Sequence, residues 1–159
     1  MNNAVFCPGA VVLEIKSQDK AGAIEEIISR AKVFDGIFNK TQFVEAVFSR
    51  EDQGSCVGHG VAFAHGKISD ISEMKVALGI SRQGIDYKAP DGRLVHLLFI
   101  VATNPSMHLD YLKRLAILAK MARTENFREE ILSCFGQEEV EEKLTKTFYA
   151  CAERGQGIA

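Results

Sequence analysis

The chain predicts an α/β fold, a single sheet sandwiched between helical layers. Apolar residues recur at helical spacing on both sides of the middle of the chain. The middle itself holds short runs of Val, Ile, Leu and Phe bounded by turn residues. With 159 residues, 47% of them apolar and 25% charged, the composition is globular and the length suits one domain over residues 1–159, with a frayed tail from about residue 153.

Taken in order, Ala10 to Ile15 is a short apolar run that reads either as an edge strand or as a strap along the core. Asp19 is placed to cap a helix in which Ile24, Ile27, Ile28 and Ala31 share one face, and Asp35-Gly36 stops the pattern. A second helix begins near Asn39 or Thr41, buries Phe43, Val44, Val47 and Phe48, and closes on Ser49-Arg50-Glu51. Arg50 therefore stands at a helix C-terminus, where the dipole favours a cation. Next comes GSCVGHGVAFAHGK, residues 54–67, with four glycines and two histidines around the apolar run Val61 to Ala64. Bare backbone beside an imidazole suits either an anion cradle or a glycine-rich turn entering a buried strand.

Gly60 to Ala64 and Met74 to Ile80 read as buried strands, with Gly84 and Ala89-Pro90-Asp91-Gly92 as turn signals. LVHLLFIVAT, residues 94–103, is the most apolar run and fits a central strand covered on both faces. His96, inside it, reads as a core or edge residue. Asn104-Pro105 predicts the start of a long helix, with Leu112, Leu115, Ala116 and Ala119 on its core face and His108 in its first turn on that same face. Two more helical patterns follow, Phe127, Ile131, Leu132 and Phe135, then Val140, Leu144 and Phe148, separated by Gly136.

Charge and composition narrow the function. The 19 basic and 21 acidic residues give a formal charge of −2 with no basic block, so nucleic acid is not the expected partner. No apolar run reaches the ~18 residues of a membrane span, and the N-terminus lacks a secretory pattern, which together suggest a cytoplasmic protein without membrane insertion. Cys7, Cys56, Cys134 and Cys151 form no C-x-x-C pair, against a disulfide framework or zinc ribbon.

The order of these features resembles the enzyme IIA family of the bacterial phosphoenolpyruvate-dependent sugar phosphotransferase system, in the fructose/mannitol type that includes nitrogen-regulatory IIA proteins. The resemblance spans about residues 10 to 150. It rests on Arg50-Glu51 closing a helix, GHGVAFAHGK with His65, EMKVALGISRQGIDYKAPDG, LVHLLFIVATNP and HLDYLKRLAILAKM. It implies a mixed five-stranded sheet with helices on both faces. By the same resemblance His65 is the phosphoryl acceptor, Arg50 a phosphate-stabilising cation and His108 the second active-site histidine, with Gly58, Gly60 and Gly66 in a phosphate loop. The implied donor is phospho-HPr or a nitrogen-branch counterpart, and the implied acceptor a cysteine of a separate IIB protein. Ala64 stands where the family has proline, and Ser55-Cys56 where Ser-Thr-Gly is common.

The chemistry suits these residues. A neutral imidazole is nucleophilic, and phosphoryl transfer needs positioned donors more than covalent work from the protein. A phosphohistidine donor requires neither nucleotide nor metal, and no GxxxxGK[ST] loop is present, so no cofactor is expected. Three other readings remain: a regulatory module that controls partner proteins through its phosphorylation state, a zinc hydrolase on His59, His65 and His108, and a thiol hydrolase using Cys56 and His65.

Overall fold

The computed structural model describes the backbone of residues 8–157, and the side chains in that range except those of residues 108, 110 and 154–157. Five strands form one mixed sheet, β1 (Val11–Val12), β2 (Cys56–Gly58), β3 (Val61–Lys67), β4 (Lys75–Ile85) and β5 (Val95–Thr103). Their order is β1-β4-β5-β3-β2. The strand expected to be central is central: β5 pairs parallel to β3 and antiparallel to β4, and all its residues but His96 are buried. Within the run at residues 10–15, Val11–Val12 form an edge strand, β1, parallel to β4.

Helices α1 (Lys20–Arg30) and α2 (Lys40–Glu51) cover one face, while α3 (His108–Ala122), α4 (Glu125–Leu132) and α5 (Gln137–Gly157) pack together on the other side. The first two begin where their capping residues predict. The Asp19 carboxylate accepts the Gly22 N–H and the Asn39 side chain accepts the Gln42 N–H. Phe43 and Val47 of α2 are fully buried, with Val44 and Phe48 half-buried beside them.

The sheet accepts α2 at unusually short range because of Gly66. A Cβ there would lie 2.9 Å from Val47 Cγ2 and 3.1 Å from the Val47 backbone nitrogen. The second contact is with helix backbone, which can yield only if α2 moves. Gly66→Ala should therefore destabilise the protein by about 1–3 kcal/mol, read as a lowered urea midpoint, and should displace the helix end that carries Arg50. A midpoint equal to the parent's would show that α2 has slack at this contact.

Four expectations change. The helix expected at Asn104-Pro105 starts at His108, because the Asn104 side chain accepts the Ser106 N–H and Oγ–H and donates to the Ile71 carbonyl, making a turn instead. Along α3 the buried residues are Leu118, Met121 and Ala122, with Tyr111 and Leu115 partly buried, whereas Leu112 and Ala116 are exposed. Phe135 is 85% exposed rather than in the core, and the Arg82 guanidinium lies over its ring. Gly84 lies inside β4, at φ +98, in the stretch between Ile80 and Ile85 where the register with β5 shifts.

Candidate phosphoryl-transfer site

Side chains alternate across a strand, so Phe63 and His65 of β3 point to the same face. The pairing confirms this: Phe63 stands opposite Phe99 and stacks on it with ring centroids 5.0 Å apart, and His65 stands opposite Val101 two residues further on. β2 ends its pairing with Cys56 opposite Phe63. Beyond that pair β3 continues as a sheet edge, and His65 lies in this uncovered part.

Both ring nitrogens of His65 have a hydroxyl neighbour. Nε2 lies 3.0 Å from Thr103 Oγ1, and Nδ1 lies 3.3 Å from the Tyr111 hydroxyl. Thr103 is buried at the last position of β5, and Tyr111 is half-buried in the first turn of α3. The Tyr111 ring also stacks on the imidazole, with centroids 4.4 Å apart and planes 16° apart.

Tyr111, His65, Gly66 and Lys67 line one side of an open cavity of about 510 Å³, and Ala46, Ser49, Arg50 and Gln53 of the α2 end line the other. Arg50 and Lys67 are cations, and no carboxylate lines the cavity among the described residues. That is an environment for an anion. The Arg50 guanidinium donates to the Gly54 carbonyl at 2.9 Å, which leaves its other N–H groups for a ligand.

Burial, then the charges of Lys67 and Arg50, push the His65 pKa down to about 4. The imidazole is therefore neutral over the physiological range, with one nitrogen carrying a lone pair. In the unfolded chain the ring titrates near ~6.5 and binds a proton the folded protein refuses, so stability falls as pH drops from there towards the folded value and rises again on return. Urea midpoints between pH 7 and 4 should show this slope in the parent and a shallower one in His65→Gln. Equal slopes would mean that His65 titrates normally when folded.

The helix end that carries Arg50 is itself tied down. Glu51 is buried, and its Oε1 accepts from the Tyr87 hydroxyl at 3.0 Å and from Ser55 Oγ at 2.7 Å, with Lys20 Nζ at 3.4 Å. Burial, then the Glu51 charge, pushes the Tyr87 phenol well up, so it stays a donor. A buried carboxylate is tolerable only when satisfied in this way.

The structure thus brings Arg50, His65 and Gly66 together. His108 is the first residue of α3, and its side chain lies outside the described residues. Gly58 and Gly60 are elsewhere, in the β2–β3 hairpin. His59 and Gly60, at φ +56 and +80, form its two-residue turn, which requires positive φ at both positions. Gly58, His59 and Cys56 line a different cavity, with Val61, Phe63 and Leu115. His59 and His65, which a zinc site would need together, therefore face separate cavities, as do Cys56 and His65. Among the described residues no group of three or more His, Cys, Asp or Glu could hold a metal ion, and no helix is long and apolar enough to cross a membrane.

Thr103, Tyr111 and Lys67 were not singled out from sequence. Thr103 had a signal, as the one hydroxyl closing a strand that is apolar apart from His96. Tyr111 had a weaker one, since three residues after His108 it shares a helix face with Leu115 and Leu118.

A family model described as "Phosphoenolpyruvate-dependent sugar phosphotransferase system, EIIA 2" matches residues 4–147. The PTS system fructose-specific EIIABC component of Bacillus subtilis is 27% identical over 131 residues, 82% of this chain, and the chain spans 21% of that relative's length. A nitrogen regulatory protein of Bradyrhizobium diazoefficiens is 28% identical over 128 residues, covering 80% of this chain and 83% of the relative. Among solved structures, the nitrogen regulatory protein IIA-Ntr of Neisseria meningitidis superposes with a TM-score of 0.81 at 27% identity, covering 89% of this chain and 97% of that one. Sequence, fold and the shared order of elements lead to one conclusion: the chain belongs to the EIIA 2 family of the phosphoenolpyruvate-dependent sugar phosphotransferase system.

Proposed function

We propose that this chain is a phosphoryl carrier whose acceptor is His65. The observation that carries the reading is a neutral imidazole at an uncovered strand end, inside a cavity walled by Arg50 and Lys67. The donor is phospho-HPr or a nitrogen-branch counterpart. A His65 nitrogen lone pair attacks phosphorus, the N–P bond of the donor phosphohistidine breaks, and its electron pair returns to the donor imidazole. In onward transfer a cysteine thiolate of a IIB partner attacks phosphorus, the S–P bond forms as the His65 N–P bond breaks, and that electron pair returns to the His65 imidazole. Charge on the equatorial phosphoryl oxygens is met by Arg50, by Lys67 and by His108, the second histidine of the site. The donor is already activated, so the transfer calls for no nucleotide, metal or other cofactor. The chain acts as one domain in the cytoplasm.

A second reading is favoured by the nitrogen regulatory relatives, which are matched over 83% and 97% of their length. In it the same phosphorylation controls the binding of regulatory partner proteins rather than feeding a sugar permease.

Incubation with phosphoenolpyruvate, enzyme I and HPr, followed by intact-mass measurement, tests both. Gain of one acid-labile phosphoryl group is the expected result. No gain beside an active HPr control would remove the carrier reading. Onward transfer to a cognate IIB then separates transport from regulation, because a purely regulatory protein would retain its label.

A further inference from the structure

We propose that Tyr111 is the positioning residue for His65, acting through the flat face of its ring more than through its hydroxyl. Its consequence for transfer rests on His65 being the phosphoryl acceptor; its consequence for the imidazole does not.

The geometry separates ring from hydroxyl. With the two planes 16° apart and the centroids 4.4 Å apart, the rings overlap face to face. The hydroxyl, 3.3 Å from Nδ1, consequently meets that nitrogen from above the imidazole plane, not along the in-plane direction of its lone pair. A contact made that way is a poor hydrogen bond, but the stack is a well-formed aromatic contact. It leaves the in-plane approach to Nδ1 free of the phenol. On the other nitrogen, Thr103 Oγ1 at 3.0 Å holds Nε2 from the buried end of β5. Two elements therefore fix the ring: β5 pins an edge, and α3 covers a face.

Covering that face also keeps water from it. The charged groups that bear on His65 are Arg50 from α2 and Lys67 from its own strand, while burial is the largest cause of its depressed basicity. Tyr111 is itself held neutral, pushed up by burial, with Arg50 acting against the rise and Cys56 of β2 adding to it. It thus adds no charge to the site, and its contribution to His65 is shape and dehydration.

Pairing a pH titration of the His65 ring by nitrogen-15 NMR with the rate of phosphoryl acceptance from phospho-HPr tests this in Tyr111→Phe, Tyr111→Leu and Tyr111→Ala. Phe keeps a flat ring and should retain the low titration midpoint and most of the acceptance rate. Ala should let water in, bring the midpoint up towards the ordinary ~6.5, and slow acceptance on the order of 10-fold through a loosened ring. Leu, which keeps bulk without a flat face, should fall between them and serves if Ala folds poorly. Equal losses in Phe and Ala would assign the effect to the hydroxyl and overturn the proposal. So would a His65 titration that no variant moves. If the midpoints shift as described but no protein, the parent included, takes a phosphoryl group, then Tyr111 positions His65 and the carrier reading fails on its own.

Discussion

His65→Ala should lose phosphoryl acceptance entirely and keep the fold. The loss should be complete because the proposed acceptor is the bond-forming atom, and Arg50 and Lys67 can stabilise charge without taking the group. The fold survives because the side chain sits at an uncovered strand end, half-buried, with a hydroxyl at each nitrogen and one stacking partner. Removing it exposes one face of Tyr111 and leaves the Thr103 hydroxyl to find another partner, a cost of about 1 kcal/mol at most sites of this kind. The measurement is intact mass after incubation with phosphoenolpyruvate, enzyme I and HPr, beside a thermal melt. A mutant that still gains one phosphoryl group with an undiminished rate would move the acceptor elsewhere, and the other histidines would have to be tested in turn. His59→Ala is the matched control. Its imidazole belongs to a hairpin turn whose N–H donates to the Asp91 carboxylate at 2.9 Å, and it lines a different cavity.

How far the residues foretell this site depends on the range over which each acts. The helix starts at Asp19 and Asn39 are local: one side chain meets an N–H three residues on, and the pattern can be read directly. The central strand is nearly as plain, since a run that is apolar on both faces has no place except between layers. Asn104-Pro105 failed because the same Asn chemistry caps turns, and the Ile71 carbonyl that decided between them is remote in sequence. The phase of α3 failed because apolar residues lie on two sides of the helix. Which stripe is buried is set by the layer it meets, so Leu112 is exposed while Tyr111 packs on His65. β2 was missed because three residues carry no period. Its hairpin is made by positive φ at His59 and Gly60, a conformation uncommon outside glycine.

Gly66 shows the same limit from the other side. Beside His65, its bare backbone reads as part of an anion cradle. In the structure its missing Cβ admits α2, and the ring is held by Thr103 and Tyr111. The glycine still serves the site, because the helix it admits is the one that ends in Arg50. Likewise the charged pair at the end of α2 divides its work. Arg50 faces the cavity, while Glu51 turns inward to Tyr87 and Ser55 and anchors the turn.

Arg50→Ala should slow acceptance from phospho-HPr and onward transfer alike, by about 10²-fold, without abolishing either. The guanidinium lies in the last turn of α2 and lines the His65 cavity, and its charge is one of two that depress the His65 pKa. Removing one preorganised donor from a site that stabilises developing negative charge typically costs that order of rate. Lys67 remains in the cavity, which is why transfer persists. Its presence also makes Arg50→Lys informative: a second ammonium would restore charge but not the planar fork that can meet two phosphoryl oxygens at once, so only part of the rate should return. Stability should change little, since the described hydrogen bond of the side chain is to the Gly54 carbonyl at the surface. Single-turnover transfer with each variant, beside a melt, makes the comparison. Parent rates in Arg50→Ala would reduce Arg50 to a cation that complements a helix end. A loss as complete as that of His65→Ala, with the fold intact, would instead place the guanidinium in the bond-forming geometry itself.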